Sequence, residues 1–228
     1  MRTIDDADEM VRRFAKFSTA LLADAMGKHC CPRLKHQVMH PAIRPLSKRF
    51  RIAGRAFTVR CYPGATYAME LALQQAPRGS VIVCDGQGSD AGVLMGELMS
   101  ICALRRGLVG AIIDGAVRDV ESIVKMGFPV FSRHITPRSG TYDQLGEVQT
   151  TISCGSVVVS PSDIVVADAD GVVVVPNEIS EQVAGIAHRL WLWEENVKEG
   201  LLRGQTLEEA VESSADLLKG LTESPERA

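Results

Sequence analysis

Three short apolar segments alternate with two helix-like segments in the middle of the chain, and this alternation strongly constrains the fold. The apolar segments are VIVCD at 81–85, LVGAIID at 108–114 and PVFSR at 129–133. Each has the length and composition of a buried strand. The helix-like segments are 92–106 and 120–126, and they end at Gly107 and Gly127. This β-α-β-α-β order predicts a parallel sheet with right-handed crossovers, and therefore the α/β class.

The flanking regions add further strands and helices. In chain order, we predict one helix or two short ones at 8–26, a loop at 27–47, a strand at 51–61, a helix at 66–75, a β-rich layer at 148–176, and helices at 179–200 and 206–219. If 8–26 forms two helices, we expect the break near Ser18 and Thr19. The tail at 222–228 is expected to fray. With no repeat or linker in 228 residues, we expect a single domain over 1–228. Its core spans about 10–176 and its C-terminal helical extension about 179–219.

The overall composition argues against several classes of protein. The formal net charge is −3, so nothing indicates nucleic-acid binding. No run of about 18 apolar residues is present, so no membrane span is expected. The N-terminal stretch MRTIDDADEM is acidic and polar, unlike a secretory signal. We therefore expect a cytoplasmic protein with neither a nucleic-acid nor a membrane partner.

Cysteine and histidine often bind metals, but their spacing here is irregular. The six cysteines include no C-x-x-C pair, so we expect reduced thiols, several of them buried, and no zinc site. His29, His36 and His40 lie in a polar, proline-containing stretch, where we expect them to be solvated.

Two glycine-containing motifs are similar to ligand-binding loops. DGQGSDAG at 85–92 follows a predicted strand, as in dinucleotide- or S-adenosylmethionine-binding folds, but its glycine spacing is one residue too long. We favour a tight turn in which the backbone approaches something small. DADG at 168–171 is similar to the start of a calcium loop, yet the glycine comes too early. We therefore expect a β-hairpin there.

Two other segments carry residues suited to binding an anion and a cation. If a helix begins near Gly96, the backbone N–H groups of Glu97, Leu98 and Met99 can bind a carboxylate. Alternatively, Gly96 only permits close packing and Glu97 is solvated.

DGAVRD at 114–119 ends a predicted strand, where open α/β sheets commonly bind ligands. Arg118 suits a carboxylate, and Asp119 suits Mg²⁺ or Mn²⁺. The alternative is that Asp119 complements the dipole of the next helix while Arg118 pairs loosely with Asp114 or Asp119.

Taken together, several segments resemble one known family. They are GELM at 96–99, RRGLVG at 105–110, DGAVRD at 114–119, GFPVF at 127–131, PSDIVVADADGVVVVP at 161–176 and AGRAFTV at 53–59. The set resembles the RraA-like family, and the similarity extends over about residues 10–200. That family contains class II aldolases acting on 4-hydroxy-4-methyl-2-oxoglutarate and 4-carboxy-4-hydroxy-2-oxoadipate, together with regulators of ribonuclease E activity.

The resemblance implies a swivelling β/β/α three-layer fold, a homotrimer or homohexamer, and active sites between subunits. The residues implied to contact substrate are Gly96, Glu97, Leu98, Met99 and Arg118. Asp119 is implied to bind the divalent metal. The corresponding position in the ribonuclease regulators is typically not acidic, so Asp119 favours the enzyme branch. A neighbour's C-terminal acid can take part in such sites, and Glu194, Glu195 and Glu199 are the candidates.

The implied function is retro-aldol cleavage of a 4-hydroxy-2-oxo dicarboxylic or tricarboxylic acid to pyruvate and a second oxo acid. Decarboxylation of oxaloacetate is the expected side activity. Arg118, Glu97 and Asp119 are the catalytic candidates: Asp119 anchors the ion, Arg118 binds the carboxylate or enolate oxygen, and Glu97 orients a proton-accepting water. The alternatives are a non-catalytic regulator that binds a ribonuclease, and a methyltransferase.

Overall fold

The computed structural model describes residues 8–30, 34 and 37–221, so the predictions for Cys31, His36 and the tail lie outside the described residues. The helices are α1 (Glu9–Phe14), α2 (Thr19–Asp24), a π-helix (Ala25–Cys30), α3 (Tyr67–Gln75), α4 (Glu97–Arg105), α5 (Val120–Met126), α6 (Ser180–Leu202) and α7 (Leu207–Ser214), with 3₁₀ turns at Asn177–Ile179 and Ala215–Leu218. The strands are β1 (Arg44–Pro45), β2 (Ile52–Arg60), β3 (Ser80–Met95), β4 (Gly110–Val117), β5 (Val130–Ile135), β6 (Glu147–Val148), β7 (Ile152–Cys154), β8 (Val157–Val159), β9 (Ile164–Ala167) and β10 (Val172–Val175).

Four parallel strands form the centre of the fold: the three that the alternating pattern predicted, and β2, which the sequence predicted as a strand but not as part of that pattern. β2, β3, β4 and β5 are neighbours and run parallel, and α3, α4 and α5 connect them in turn. The complete strand order is β1-β5-β4-β3-β2-β9-β10, and β6 also pairs with β2. The added strands pair antiparallel, so the sheet is mixed.

Both faces of this sheet are buried, which explains why its strands read as nearly continuous apolar runs. On one face, Ile82 and Ile113 share a core with Met69 of α3 and with residues of α4 and α5. On the other face, Ile112 shares a core with Val159 of the β7–β8 hairpin. A helical layer, a large sheet and a small β layer therefore stack in order, which confirms the β/β/α expectation.

The terminal helices pack at the β9–β10 end of the sheet. Ser18 caps α2 by accepting a hydrogen bond from Leu21, so of the two alternatives for 8–26 the structure has two short helices with a break near Ser18. The Asp168 carboxylate accepts hydrogen bonds from the backbone N–H and hydroxyl of Thr19 at 2.9 and 2.7 Å. Residues 168–171 thus form the turn of the β9–β10 hairpin and anchor the start of a helix. The sequence predicted a hairpin here in preference to a calcium loop.

The two predicted C-terminal helices are present as α6 and α7. Thr206 and Glu209 form a reciprocal capping box at the start of α7, which satisfies two backbone groups of that helix end. None of the helices in the described part of the chain is both long and apolar enough to span a bilayer.

β3 is much longer than predicted, and this shifts the start of α4. The sequence predicted a strand at 81–85, a glycine turn at 86–92 and then a helix. Instead, β3 continues through all of these residues, and α4 begins only after Gly96. The register between β3 and β4 shifts repeatedly along this stretch, so bulges absorb the glycines without ending the strand. β4 likewise continues beyond its predicted end at Asp114.

Most of the described cysteines and histidines behave as predicted. Cys61, Cys84 and Cys154 are buried reduced thiols, and burial raises the pKa of Cys154 well above its usual value. His40 is exposed, as expected. The prediction is wrong for His29, because the π-helix half-buries its ring and leaves Nδ1 without a hydrogen-bond partner among the described residues.

Candidate active site

A cleft of about 530 Å³ opens where β3 and β4 end and α4 and α5 begin. All six residues singled out from the sequence line it, and they are Gly96, Glu97, Leu98, Met99, Arg118 and Asp119. Two separate chain segments supply them, because α4 starts directly after β3 and α5 starts directly after β4. The parallel pairing of these strands brings the segments together.

The start of α4 points a backbone N–H group toward Asp119. Gly96 is the N-cap residue with an extended backbone, and the Glu97 N–H donates to Oδ2 of Asp119 at 3.0 Å. A Cβ atom at Gly96 would lie only 2.7 Å from that oxygen. Gly96 therefore permits close packing, and the helix start after it binds a carboxylate of the protein itself; binding of a ligand carboxylate there stays a prediction.

Asp119 has an unusual backbone conformation that directs its side chain away from its own helix. It is the N-cap of α5, with φ 59° and ψ 38°, yet its carboxylate makes no capping bond to α5. Oδ2 instead bonds to the start of α4, and Oδ1 has no hydrogen-bond partner within the described residues. One carboxylate thus connects two helix starts and keeps one oxygen available to the cleft.

Arg118 lies beside this carboxylate and is held from two directions. Its backbone N–H donates to the carbonyl of Met95 at 3.2 Å, and its Nη1 donates to Oγ of Ser139 at 3.3 Å. Its Nε lies 3.5 Å from Oδ2 of Asp119, a loose ion pair. The guanidinium is about half-exposed, so its other N–H groups face the cleft and can receive an anion.

Asp114 does not belong to this site, although the sequence offered it as a partner for Arg118. Its buried carboxylate pairs with Nε of Arg133 at 2.5 Å and accepts the N–H of Gly155 at 2.6 Å. Asp114 therefore fixes the β7–β8 hairpin to the sheet. The alternative pairing of Arg118 with Asp114 is wrong.

The glycine motif at 86–92 does not form a phosphate-binding loop. No helix begins there, because the segment lies within β3. A Cβ at Gly86 would lie 2.8 Å from the carbonyl oxygen of Asp114, and one at Gly92 would lie 2.8 Å from that of Ser139. These glycines allow close backbone packing, and they leave no cradle for a nucleotide.

Sequence reasoning missed several residues that complete the cleft. They are Thr66, Glu70 and Leu73 near α3, Cys102 of α4, and Ser139 and Gly140 of the segment 134–143. No short motif connects these positions. Ser139, which lies between β5 and β6, contacts Arg118 directly.

The donor set fits a divalent cation of the magnesium type. Within 8–30, 34 and 37–221, no three His, Cys, Asp or Glu side chains cluster as metal ligands, so an all-protein zinc site does not fit. Mg²⁺ is commonly held by one or two carboxylates, with water and substrate oxygens as its other ligands. The available oxygen of Asp119 and the open cleft match that requirement, and Asp119 is the residue that would hold such an ion.

The C-terminal acids do not reach this cleft within one chain. Glu194 and Glu195 pair with Lys198 along α6, and Glu199 pairs with Arg203. None of them lines the cleft. A role for them in a neighbour's site stays a prediction.

Comparisons with known proteins give a family match and several similar relatives. The RraA-like profile, described as Aldolase/RraA, matches residues 19–174. Protein DlpA of Legionella pneumophila is 35% identical over 177 residues, which cover 75% of this chain and 29% of that protein. A relative in Halalkalibacterium halodurans, named "Putative 4-hydroxy-4-methyl-2-oxoglutarate aldolase", is 35% identical over 141 residues, covering 62% of this chain and 67% of the relative.

A solved structure also resembles most of this fold. Streptomyces coelicolor RraAS2, described as an unusual member of the RNase ES inhibitor RraA protein family, gives a TM-score of 0.74 at 25% identity. The superposition covers 82% of this chain and 96% of that one.

Proposed function

Because this chain belongs to the Aldolase/RraA family, we propose that it is a divalent-metal-dependent aldolase that releases pyruvate from 4-hydroxy-2-oxo acids. The observation that carries the proposal is the grouping of Asp119, Arg118 and the first amide of α4 in one open cleft. The names of relatives at about 35% identity support aldolase chemistry. The dicarboxylic and tricarboxylic acids suggested by the resemblance are the first substrates to test.

The reaction breaks the C3–C4 bond of the substrate. The C4 hydroxyl loses its proton and becomes the carbonyl of the departing fragment. The bonding electron pair passes to the enolate of pyruvate, which then takes up a proton at C3. A divalent cation held by Asp119 would supply Lewis-acid stabilisation of the negative charge.

The residues of the chain have distinct tasks in this reaction. Arg118 binds the substrate carboxylate or the developing enolate oxygen through its planar fork. The first N–H groups of α4 bind the same carboxylate. Glu97 acts through a water molecule as the base for the C4 hydroxyl. No lysine lines the cleft among the described residues, so no Schiff base is proposed.

Oxaloacetate decarboxylation follows from the same arrangement. Loss of CO₂ from oxaloacetate leaves the same pyruvate enolate, so Arg118 and the α4 amides serve both reactions. We therefore include oxaloacetate decarboxylase activity in the proposal.

A coupled pyruvate assay tests this function. Oxaloacetate and several 4-hydroxy-2-oxo acids are each incubated with Mg²⁺, Mn²⁺ or EDTA. We expect metal-dependent release that falls by about 100-fold or more in Asp119→Ala. Asp216→Ala, which removes an exposed carboxylate far along the chain, is the matched control and should retain activity. Wild-type rates in EDTA, or in Asp119→Ala, contradict the metal assignment.

Assembly into a trimer or hexamer with shared active sites is part of the proposal. Leu98 is 80% exposed beside the cleft, and Ile101 and Leu104 extend the same exposed apolar helix. An apolar surface of this kind supports contact with another subunit. Light scattering coupled to size exclusion measures the mass directly, and a strict monomer contradicts shared sites.

A regulatory role is the second candidate, and the likeness to RraAS2 supports it. In that case the protein slows RNA cleavage by a ribonuclease of the E type without metal-dependent turnover of its own. A cleavage assay with Asp119→Ala separates the two functions, because the variant would still inhibit the ribonuclease.

A further inference from the structure

The active-site cleft continues into a second space of similar size. This neighbouring cleft of about 570 Å³ lies between α3 and α4, whereas Arg118 and Asp119 line only the first cleft. The lining residues that the two clefts have in common are Glu70, Leu73, Leu98 and Cys102. A ligand anchored at Arg118 can therefore extend into the second cleft.

One face of α4 connects the first cleft with the far end of the second. Leu98, Ile101 and Arg105 follow one another at intervals of three and four residues, so they are neighbours on the helix surface. Because an α-helix rises 1.5 Å per residue, Arg105 lies about 13 Å along the axis from Gly96. The surface of α4 before Arg105 is apolar, and Leu73 of α3 lines the same space.

Two arginines line the second cleft, and they differ in their contacts. Nη2 of Arg106 donates to the carbonyl of Ala76, at the end of α3, at 3.5 Å. Arg105 is exposed, and its guanidinium makes no hydrogen bond or ion pair with any residue in the described part of the chain. Long side chains in a helix lean toward its N-terminus, which here is the direction of the first cleft. Arg105 is therefore the cation that can receive a ligand.

The distance between the start of α4 and Arg105 sets the length of a ligand that reaches both. An extended chain advances about 1.2 Å per bond, so the Arg105 side chain can cover about 6 Å of that distance. About 7 Å of the separation from Gly96 then remains for the ligand. The two carboxyl carbons of an extended seven-carbon diacid are about 7 Å apart, whereas those of a five-carbon diacid are about 5 Å apart.

We propose, resting on the aldolase function above, that Arg105 binds an acidic group at the far end of the substrate. The substrate class is 4-hydroxy-2-oxo diacids in which methylene groups separate C4 from this acid. The methylene groups lie against Leu73, Leu98 and Ile101, where their removal from water favours binding. Arg105 adds a charge-assisted hydrogen bond to the carboxylate. A five-carbon diacid has no methylene group beyond C4 and stops short of Arg105, so it gains neither contact.

Three substrates test this inference. 4-Hydroxy-2-oxoheptanedioate is the seven-carbon diacid, and 4-hydroxy-2-oxoheptanoate has the same length with a methyl group in place of the far carboxylate. 4-Hydroxy-2-oxoglutarate is the five-carbon diacid. Each breaks between C3 and C4 to give pyruvate, with 4-oxobutanoate, butanal or glyoxylate respectively as the second product. We expect the wild-type kcat/KM for the seven-carbon diacid to exceed that for either of the others by about 10-fold or more.

Variants assign the preference to Arg105. Arg105→Gln removes the charge, and the ratio of kcat/KM for the seven-carbon diacid to that for the monoacid should fall about 10-fold, mainly through KM. Arg105→Lys keeps the charge without the planar fork and should retain part of the ratio. Arg49→Gln makes the same change at an exposed arginine that lines neither cleft, so this control should leave the ratio unchanged.

The mass of Arg105→Gln separates substrate binding from subunit assembly, because α4 also carries the apolar surface proposed for subunit contact. Light scattering should give the wild-type mass. A smaller assembly assigns Arg105 to the subunit contact and overturns the inference.

The kinetic outcomes separate this inference from the function on which it rests. Equal or better turnover of the monoacid or the five-carbon diacid, or a ratio that Arg105→Gln does not move, overturns the inference while pyruvate release upholds the aldolase. Absence of pyruvate from all three substrates and from oxaloacetate overturns both.

Discussion

Gly96→Ala adds one methyl group where the cleft is tightest, and we expect it to impair catalysis far more than stability. The new Cβ would lie 2.7 Å from Oδ2 of Asp119 and 3.2 Å from Cγ of Arg118. Because ordinary contact begins near 3.4 Å, the Asp119 carboxylate must retreat by about 0.7 Å. With φ at −146°, Gly96 is in a conformation that alanine adopts without backbone strain.

The size of each effect follows from this geometry. A misplacement of about 1 Å in a catalytic group costs on the order of 100-fold in rate, so kcat/KM should fall by roughly that factor. Asp119 is partly exposed and its side chain can turn, so the cost in stability is near the lower limit for overpacking, about 1 kcal/mol. For a chain of this size, Tm should fall by about 2–4 °C.

The measurement combines the coupled pyruvate assay with thermal unfolding followed by circular dichroism. Gly185→Ala is the matched control, since a Cβ there meets nothing within 4 Å on an exposed face of α6. It should leave turnover unchanged and stabilise the protein by about 0.5–1 kcal/mol. Wild-type kcat/KM in Gly96→Ala refutes the reasoning, because it means that the position of Asp119 does not matter.

Three further variants test other contacts. Arg133→Met should lower the free energy of unfolding, measured with urea, by about 3–5 kcal/mol, because it leaves the buried Asp114 carboxylate without its cationic partner. A decrease below about 1 kcal/mol contradicts this. Burial raises the pKa of Asp168, but hydrogen bonds from Thr19 outweigh it and the net pKa is lowered. Its stabilising contribution is therefore full above the unfolded pKa, about 4, and is lost as pH falls through the lowered folded pKa. Asp168→Asn should thus cost about 1–3 kcal/mol at pH 7 and clearly less near pH 2, whereas an equal cost at both pH values contradicts the assignment. Arg118→Lys should keep the charge but lose the planar fork, so pyruvate release should fall about 10-fold; unchanged kinetics argue against bidentate binding.

Local signals were sufficient where an element's ends are set by its own residues. α5 was predicted with the bounds it has, because the apolar spacing of VESIVKM stops at Gly127, which adopts a left-handed φ of 75°. The hairpin at 168–171 was predicted for the same reason, since Asp170-Gly171 is a turn signal independent of the rest of the fold.

Local signals failed where a neighbouring strand decided the structure. Residues 92–95 have apolar spacing that also suits a helix, and the glycines at 86–92 suit a turn. Pairing with β4, through Ser89 opposite Gly115 and Val93 opposite Ala116, keeps the segment extended. Such long-range pairing overrides local propensity and is not visible in the segment itself.

The site was only partly predictable from the residues. The chemistry of Arg118, Asp119 and the amides after Gly96 made them candidates for ligand binding, but each could also have had a purely structural role. The family resemblance was the reason to prefer the ligand-binding role. The left-handed backbone of Asp119, which turns its carboxylate toward α4, has no sequence signal. Ser139 and Gly140 line the cleft because the segment 134–143 folds back onto the start of α3.

The bond between Asp119 and the Glu97 amide creates a competition for a single proton donor. An amide has one hydrogen, so an incoming carboxylate and Asp119 are rivals for it. If the incoming carboxylate takes this hydrogen bond, Oδ2 of Asp119 is released. Asp119 can then offer two oxygens to a cation instead of one. Occupancy by an acid and occupancy by a cation should therefore reinforce each other, and neither ligand should reach its full affinity alone.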